Sequence, residues 1–283
     1  MQTIIQKILV EENHSFACRY YKTPHFETSW HKHEEVEIIN ITEGYGTALI
    51  GDYIGEYKEG DVFFIASNIP HWFRKSNQNI IGNAIVAQFK KAVFGTEFLS
   101  TPELRSINHL LHKNEGLKIE KKTKTLISKK LQELEQAKGY ARYGILLDIL
   151  NQISQSKQFL TLSKNFSSGI KNINPVMEDI IEYSFKNYLT QIKLCDVADM
   201  ASMSIPTFCR FFKKNIKKTY FEFIQELRIN HACKLLKEEN KTIMDICYES
   251  GYNSWAHFSK QFKEVTKRTP SSYRKEFAEE QAM

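Results

Sequence analysis

The sequence predicts an α+β protein of two domains: an antiparallel β-barrel with appended helices, then an all-α domain. Three observations carry this. The length is 283 residues, the hydrophobic period changes from strand-like to helical near residue 100, and a motif recurs fifty residues after its first appearance. A chain this long is about twice a typical domain, so each part can bury its own core. With 42% apolar and 25% charged residues and few Gly or Pro, it is expected to be ordered nearly throughout.

From Phe16 to Phe89 short apolar or alternating runs are broken by turn residues: EVEIINITEG, GTALIGDYIGEY, GDVFFIASNIPH and NAIVAQF. Such runs, rich in Ile, Val, Phe and Tyr and closed by Gly, Asp or Asn, predict antiparallel strands. From Pro102 the pattern is helical. Leu126, Ile127, Leu131 and Leu134 form one stripe, and Tyr143, Leu146, Leu147, Leu150 and Ile153 another. Lys157 to Pro175 has weak periodicity and ends in Asn-Pro, which predicts a linker. The remainder is helical, with FEFIQELRINHACKLL as a rigid spacer whose Phe223, Leu227, Ala232, Leu235 and Leu236 share one side.

No apolar run is long enough to span a bilayer, and MQTIIQKILVEENH lacks the cleavage site of a secretory signal, so a cytoplasmic protein with no membrane partner is expected. Five cysteines without a C-x-x-C pair fit neither a disulfide framework nor a zinc finger and are expected as reduced thiols.

ASMSIPTFCRFFKK and GYNSWAHFSKQFKE, from Ala201 and Gly251, repeat one register. Each follows a short helical segment, LCDVADMA or IMDICYES, and a tight turn. Ser204 and Ser254 stand where a helix N-cap belongs, and Pro206 fits a first helical turn. Phe208 with Phe212, and Phe258 with Phe262, are four apart and face inward. The same spacing turns Pro206, Thr207, Cys209, Arg210, Lys213 and Lys214 outward in one copy, and Trp255, Ala256, His257, Ser259, Lys260 and Lys263 in the other. This is a helix-turn-helix pattern, in which the second helix offers its outward residues to base edges in the major groove and flanking cations meet phosphate. The net charge of +6 permits a polyanion partner, and the cations gather beside both copies.

From Pro175 to about Phe277 the chain resembles the AraC/XylS family of bacterial transcription regulators, whose carboxy-terminal domain joins two helix-turn-helix units by a long helix. The resemblance rests on Arg228, Ala232, Leu235 and Leu236 of the spacer, on the G-Y/F-x-S-x-x-x-F-x-K/R-x-F-K pattern from Gly251, and on Thr269, Pro270, Tyr273 and Arg274. It implies sequence-specific binding of double-stranded DNA at an operator or promoter, a homodimer and RNA polymerase as a further partner. Where the family usually has Gly after each recognition helix, this chain has Lys217 and Lys267, and Ser202 replaces the Gly common in the first turn. Pro206 and Ala256 stand where the family often carries readers, which leaves direct readout chiefly to Arg210, His257 and Lys260, with Arg210 paired to a guanine.

In WHKHEEVEIINITEG, residues His31, His33 and Glu37 share one parity, so on a strand they face the same side. The spacing H-x-H-x₃-E-x₆-G, ending at Gly44, resembles the first cupin motif, and Gly60, Asp61, Pro70 and His71 retain part of the second. The resemblance implies a cupin-like barrel over residues 1–100 that senses a small-molecule effector, with a sugar as the family-level expectation. It is followed by a helical dimerisation segment at 101–160, a linker at 161–174 and the DNA-binding domain at 175–283. His31, His33, Glu37 and His71 are the expected effector-binding residues, with no cofactor and no metal ion. The alternative is that the same four hold a metal, as in metal-binding cupins, in a dioxygenase or isomerase with a DNA-binding tail. No second set of acid and base residues can be assigned near them, so no catalytic residue is expected.

Overall fold

The computed structural model describes residues 8, 10, 14–22, 26, 29–76, 79–163, 175–238 and 241–281, and the chain divides into two compact units, Met1–Ile173 and Asn174–Met283. The first unit opens with β1 (Ala17–Lys22), β2 (Val36–Glu43), β3 (Gly46–Ile50), β4 (Tyr53–Tyr57), β5 (Val62–Ile65), β6 (His71–Lys75) and β7 (Asn83–Phe89). It continues through α1 (Thr96–Leu99), α2 (Arg105–His112), β8 (Gly116–Ile119), α3 (Lys121–Gln136), α4 (Ala141–Gln155) and β9 (Phe159–Ser163). Six strands pair in the order β1-β7-β2-β5-β8-β9 and three in the order β4-β3-β6, all antiparallel. Both sheets feed one core, with Val36, Ile38, Ile41, Ala48, Phe63 and Ala87 among its buried members. Gly44 closes the β2–β3 hairpin at φ +96°, and a Cβ there would lie 2.6 Å from the Ile81 carbonyl oxygen. Its place in the motif therefore has a steric reason.

Two strands interrupt the segment expected to be helical. Gly116–Ile119 adds to β5, aligning Val62 with Ile119, and Phe159–Ser163 adds to β8 at the start of the expected linker. Sheet pairing overrides local pattern here, because Leu117 and Ile119 bury completely only as strand residues. Of the linker itself, 164–174 lie outside the described residues. Helix α3 lays Ile127, Leu131 and Leu134 on the six-stranded sheet, and α4 packs Leu146, Ile149, Leu150 and Ile153 behind it. Leu126, expected in the first stripe, is 38% exposed.

The second unit is helical among the described residues: α5 (Pro175–Asn187), α6 (Leu194–Met200), α7 (Ile205–Ile216), α8 (Tyr220–Glu238), α9 (Ile243–Glu249), α10 (Trp255–Thr266) and α11 (Pro270–Gln281). Helix α8 serves two cores. Its first half stacks Tyr220 and Phe223 on Phe212, and its second half buries Ile229, Ala232, Leu235 and Leu236 with Phe258 and Phe262. The two copies share their closing geometry. The Met203 N–H donates to the Ala198 carbonyl at 2.9 Å, as the Tyr252 N–H does to Cys247 at 3.2 Å, around Ser202 at φ 54° and Gly251 at φ 79°. They differ in length, since residues 201–204 join α6 to α7 whereas 250–254 join α9 to α10.

Arg228 on α8 ties the halves together. Its Nε donates to the Tyr188 carbonyl at 2.6 Å and Nη2 to that of Thr190 at 2.8 Å, while the guanidinium lies 5.6 Å from the Tyr252 ring centroid. Gly251 sits against the same loop, where a Cβ would fall 2.7 Å from the Leu189 carbonyl oxygen.

Candidate sensor cluster and nucleic-acid interface

The barrel gathers the four residues that the motif singled out. Glu37 is the second residue of β2 and His71 the first of β6. His31 is joined to His71 by an isolated antiparallel bridge, and His33 lies on the way into β2, so the shared side expected of one strand is reached by turns instead. All four are at least 95% buried. Each imidazole is anchored by its Nδ1, which donates to a backbone carbonyl two residues away in sequence: His31 to Ser29 at 2.7 Å, His33 to Glu35 at 3.0 Å and His71 to Ile69 at 2.8 Å. A carbonyl can only accept, so Nδ1 carries the proton and Nε2 is the second ring atom able to bind, which in His33 meets Glu37.

The three rings crowd together, with centroids 4.4–5.7 Å apart, and one ligand nitrogen from each lies within 4.8 Å of the others. Glu37 joins them through His33 Nε2 at 3.1 Å and His71 Nε2 at 3.6 Å. Burial pushes the His31 imidazole down to about 3, helped by the neighbouring His71 and His33. Burial opposes charge on His33 too, but its hydrogen bond to Glu37 together with the charges of Glu37 and Glu35 outweighs that and raises it. For Glu37, burial favours the neutral acid, yet His71 and His33 hold the carboxyl well below its usual range. His71 Nε2 is buried without a hydrogen-bond partner.

Gln88, which sequence reasoning missed, faces Glu37 across β2 and β7 and donates from Nε2 to Oε2 at 2.7 Å. An amide set inside the apolar run AIVAQF was the available signal. Trp30 is buried beside the cluster in sequence, and Trp72 lies under Arg74. Asp61 of the second motif is a structural clamp, 2.6 Å from Lys118 Nζ. The cavity touching His31, Glu37 and His71 is also lined by Tyr21, Phe73 and Gln88 and measures about 40 Å³. That is room for an ion or a water, far below the roughly 300 Å³ at which small-molecule sites begin.

The donor set fits a transition-metal ion. Imidazole nitrogens bind such ions at about 2.0–2.1 Å, their Nδ1 atoms are already held as a metal site requires, and the orphaned His71 Nε2 is an open ligand position.

In the second unit, Ser204, Pro206, Thr207, Cys209, Arg210, Lys213 and Lys214 are all exposed along α7. On α10, Ser254, Ala256, His257, Lys260 and Lys263 are exposed, and Trp255 is 39% exposed with its ring packed on Phe258. Ser259 is half-buried, contrary to expectation, because about 100° per residue places it on the flank of the Phe258–Phe262 row. Arg210 and Lys260 point straight away from their cores by the same rotation. Ser254 caps α10 by accepting from the His257 N–H, whereas Ser204 bonds the Thr207 hydroxyl at 2.9 Å. The His257 ring is tethered from below: Gln261 Nε2 bonds its Nε2 at 2.6 Å and Gln261 Oε1 accepts from the Tyr252 hydroxyl at 2.8 Å.

Charge is sorted by position. Lys218 pairs with Glu226, Lys241 with Glu249 and Arg268 with Glu276, whereas among the described residues Arg210, Lys213, Lys214, Lys260 and Lys263 form no ion pair. Lys217 and Lys267 end α7 and α10 in the left-handed conformation, at φ 64° and 62°.

Comparison with known proteins agrees with both halves. The family description "AraC-like ligand binding domain" matches residues 13–81, and "Helix-turn-helix domain" matches residues 197–276. The chain belongs to the AraC/XylS family. It is 26% identical to the uncharacterized HTH-type transcriptional regulator YdeC of Bacillus subtilis over 253 residues, covering 87% of this chain and 85% of YdeC. It is 23% identical to the melibiose operon regulatory protein of Escherichia coli K12, covering 90% and 86%. Among solved structures, ToxT of Vibrio cholerae matches at 16% identity with a TM-score of 0.37, over 94% of this chain and 97% of that one. This AraC-type regulator therefore pairs a sheet-rich ligand-binding domain with a DNA-binding helical domain, and these relatives are regulators rather than enzymes. No helix among its described residues is long and apolar enough to cross a membrane.

Proposed function

We propose that this regulator reads operator DNA with the exposed faces of α7 and α10 and that its barrel binds a small-molecule effector at His31, His33, Glu37 and His71. The observation that carries the first part is the set of exposed cations without carboxylate partners, Arg210, Lys213 and Lys214 on one face and Lys260 and Lys263 on the other. Such cations sit on the surface that meets phosphate and base edges, whereas Lys218, Lys241 and Arg268 of the same unit pair with carboxylates. Direct readout falls on Arg210, His257 and Lys260, and a homodimer paired through the helical segment at 101–160, contacting RNA polymerase at the promoter, completes the scheme.

For the effector, the melibiose operon regulator supports a sugar, and a buried carboxylate with a donating amide beside it suits hydroxyl groups. One observation favours a second reading. Three imidazoles bring one ligand nitrogen each within 4.8 Å of the others, and His31 and His71 also border the cavity of about 40 Å³, which suits a divalent transition-metal ion held by His31, His33 and His71 with Glu37 behind them. Operator titration of protein purified without chelator, with and without EDTA and candidate sugars, together with metal analysis, separates the two. Sugar-dependent affinity in metal-free protein supports the sugar. Stoichiometric metal whose removal changes operator affinity supports the ion. A response to neither moves the sensor away from the cluster.

A further inference from the structure

A second cavity of the first unit lies on the far edge of the six-stranded sheet, between β1 and the turn that joins α3 to α4. It measures about 470 Å³, within the range of small-molecule sites, and Phe16, Arg19, Glu135, Lys138 and Arg142 are on its wall. Arg142 is the unusual member. The residue is only 8% exposed, yet among the described residues its guanidinium meets no carboxylate. Nη2 donates to the Phe16 carbonyl at 3.1 Å, Nη1 reaches that of Ala137 at 3.4 Å, and the group rests 4.8 Å from the Phe16 ring centroid. Two of five N–H donors are thus used, both on neutral oxygens.

A buried charge in a folded protein is normally paired, because an unpaired one forfeits hydration without return. Here the deficit is enlarged, since Arg142 lies in the first turn of α4, where the helix end adds partial positive charge. Lys138 adds a cation to the same wall, and among the described lining residues the acid, Glu135, makes no ion pair with Arg142. A planar fork with spare donors, in a cavity of ligand size floored by an aromatic ring, matches a carboxylate attached to a small apolar body. We propose that this groove is a second ligand site, taking a small organic carboxylate through Arg142. Because α3 and α4 both border it, the ligand would tie β1 to the helices that cover the barrel.

The test uses the full-length protein, with calorimetric titration and thermal unfolding against succinate, benzoate, inorganic phosphate and the neutral succinamide and benzamide. The expected result is saturable binding of at least one carboxylate, no binding of its amide, and no change in the Glu37→Gln variant. Arg142→Lys keeps the charge and loses the fork, so it should weaken binding about tenfold, and Arg142→Met should abolish it. The proposal is overturned if neither carboxylate binds at millimolar concentration, if the amide binds equally, or if phosphate binds more tightly than both carboxylates. Undiminished affinity in Arg142→Lys, or loss in Glu37→Gln alone, overturns it as well. The comparison of carboxylate with amide on the unaltered protein stands even where Arg142→Met does not fold.

Discussion

Replacing Arg228 with Ala should loosen both halves of the DNA-binding unit at once. The guanidinium makes two charge-assisted hydrogen bonds, at 2.6 and 2.8 Å, to the loop after α5, and faces the Tyr252 ring at 5.6 Å. Each bond of that kind contributes about 1.5–3 kcal/mol, and the ring about 0.5–1 kcal/mol. The site is half-buried, and water can reach the Tyr188 and Thr190 carbonyls once the side chain is gone. The expected net loss is therefore about 2–3 kcal/mol. Hydrogen exchange of the full-length protein resolves this by segment. Amides at the end of α5 and in the α9–α10 turn should lose protection together, by about 30- to 150-fold. Operator affinity should fall although Arg228 lies away from the reading faces, and Arg228→Lys should fall between the two. Unchanged protection around Tyr252, or a loss confined to α5, would refute the claim that this side chain joins the halves.

Arg210→Ala and Lys260→Ala should each weaken specific binding by about 1–3 kcal/mol and relax discrimination at different base pairs, whereas Lys213→Ala should weaken all sequences alike and lower the salt slope by about one unit. Identical base preference in all three, measured by competition with operator variants, contradicts the assigned faces. Native alkylation should modify exposed Cys195 and Cys209, while Cys18, whose thiol burial pushes up to about 12, stays protonated and inert. Operator DNA should protect Cys209, and mass spectrometry that finds it equally modified with DNA present argues against α7 in the groove. Lys217→Gly and Lys267→Gly should each raise stability by up to about 1 kcal/mol by relieving a left-handed lysine. Melting temperatures that fall in both variants count against that strain.

The strands from β2 to β7 were largely legible because alternation and turn residues mark a half-buried antiparallel strand locally. β8 and β9 were not, since GLKI and FLTLS are too short to show a period and become strands only by meeting β5 and each other. The motif brought His31, His33, Glu37 and His71 to notice, but not the carbonyls of Ser29, Glu35 and Ile69 that orient the imidazoles, because backbone path has no residue signature. Helical spacing placed the outward faces of α7 and α10 well and failed at Ser259, on the boundary between faces. Arg142 had no signal at all: in ARYGILLDIL a buried arginine looks like a surface one.

The arrangement of the two copies along α8 gives this protein a heading. They follow one another in a single chain, held by a helix of about 28 Å for its 19 residues, close to one turn of duplex. Dimers of single units meet palindromes because a twofold axis reverses one half. A tandem joined head to tail has no such axis, and its turns differ by one residue, so neither head can stand in for the other. The operator it fits is accordingly written in one direction. Inverting that operator in front of a promoter reverses the molecule on the DNA and presents a different surface to whatever stands alongside.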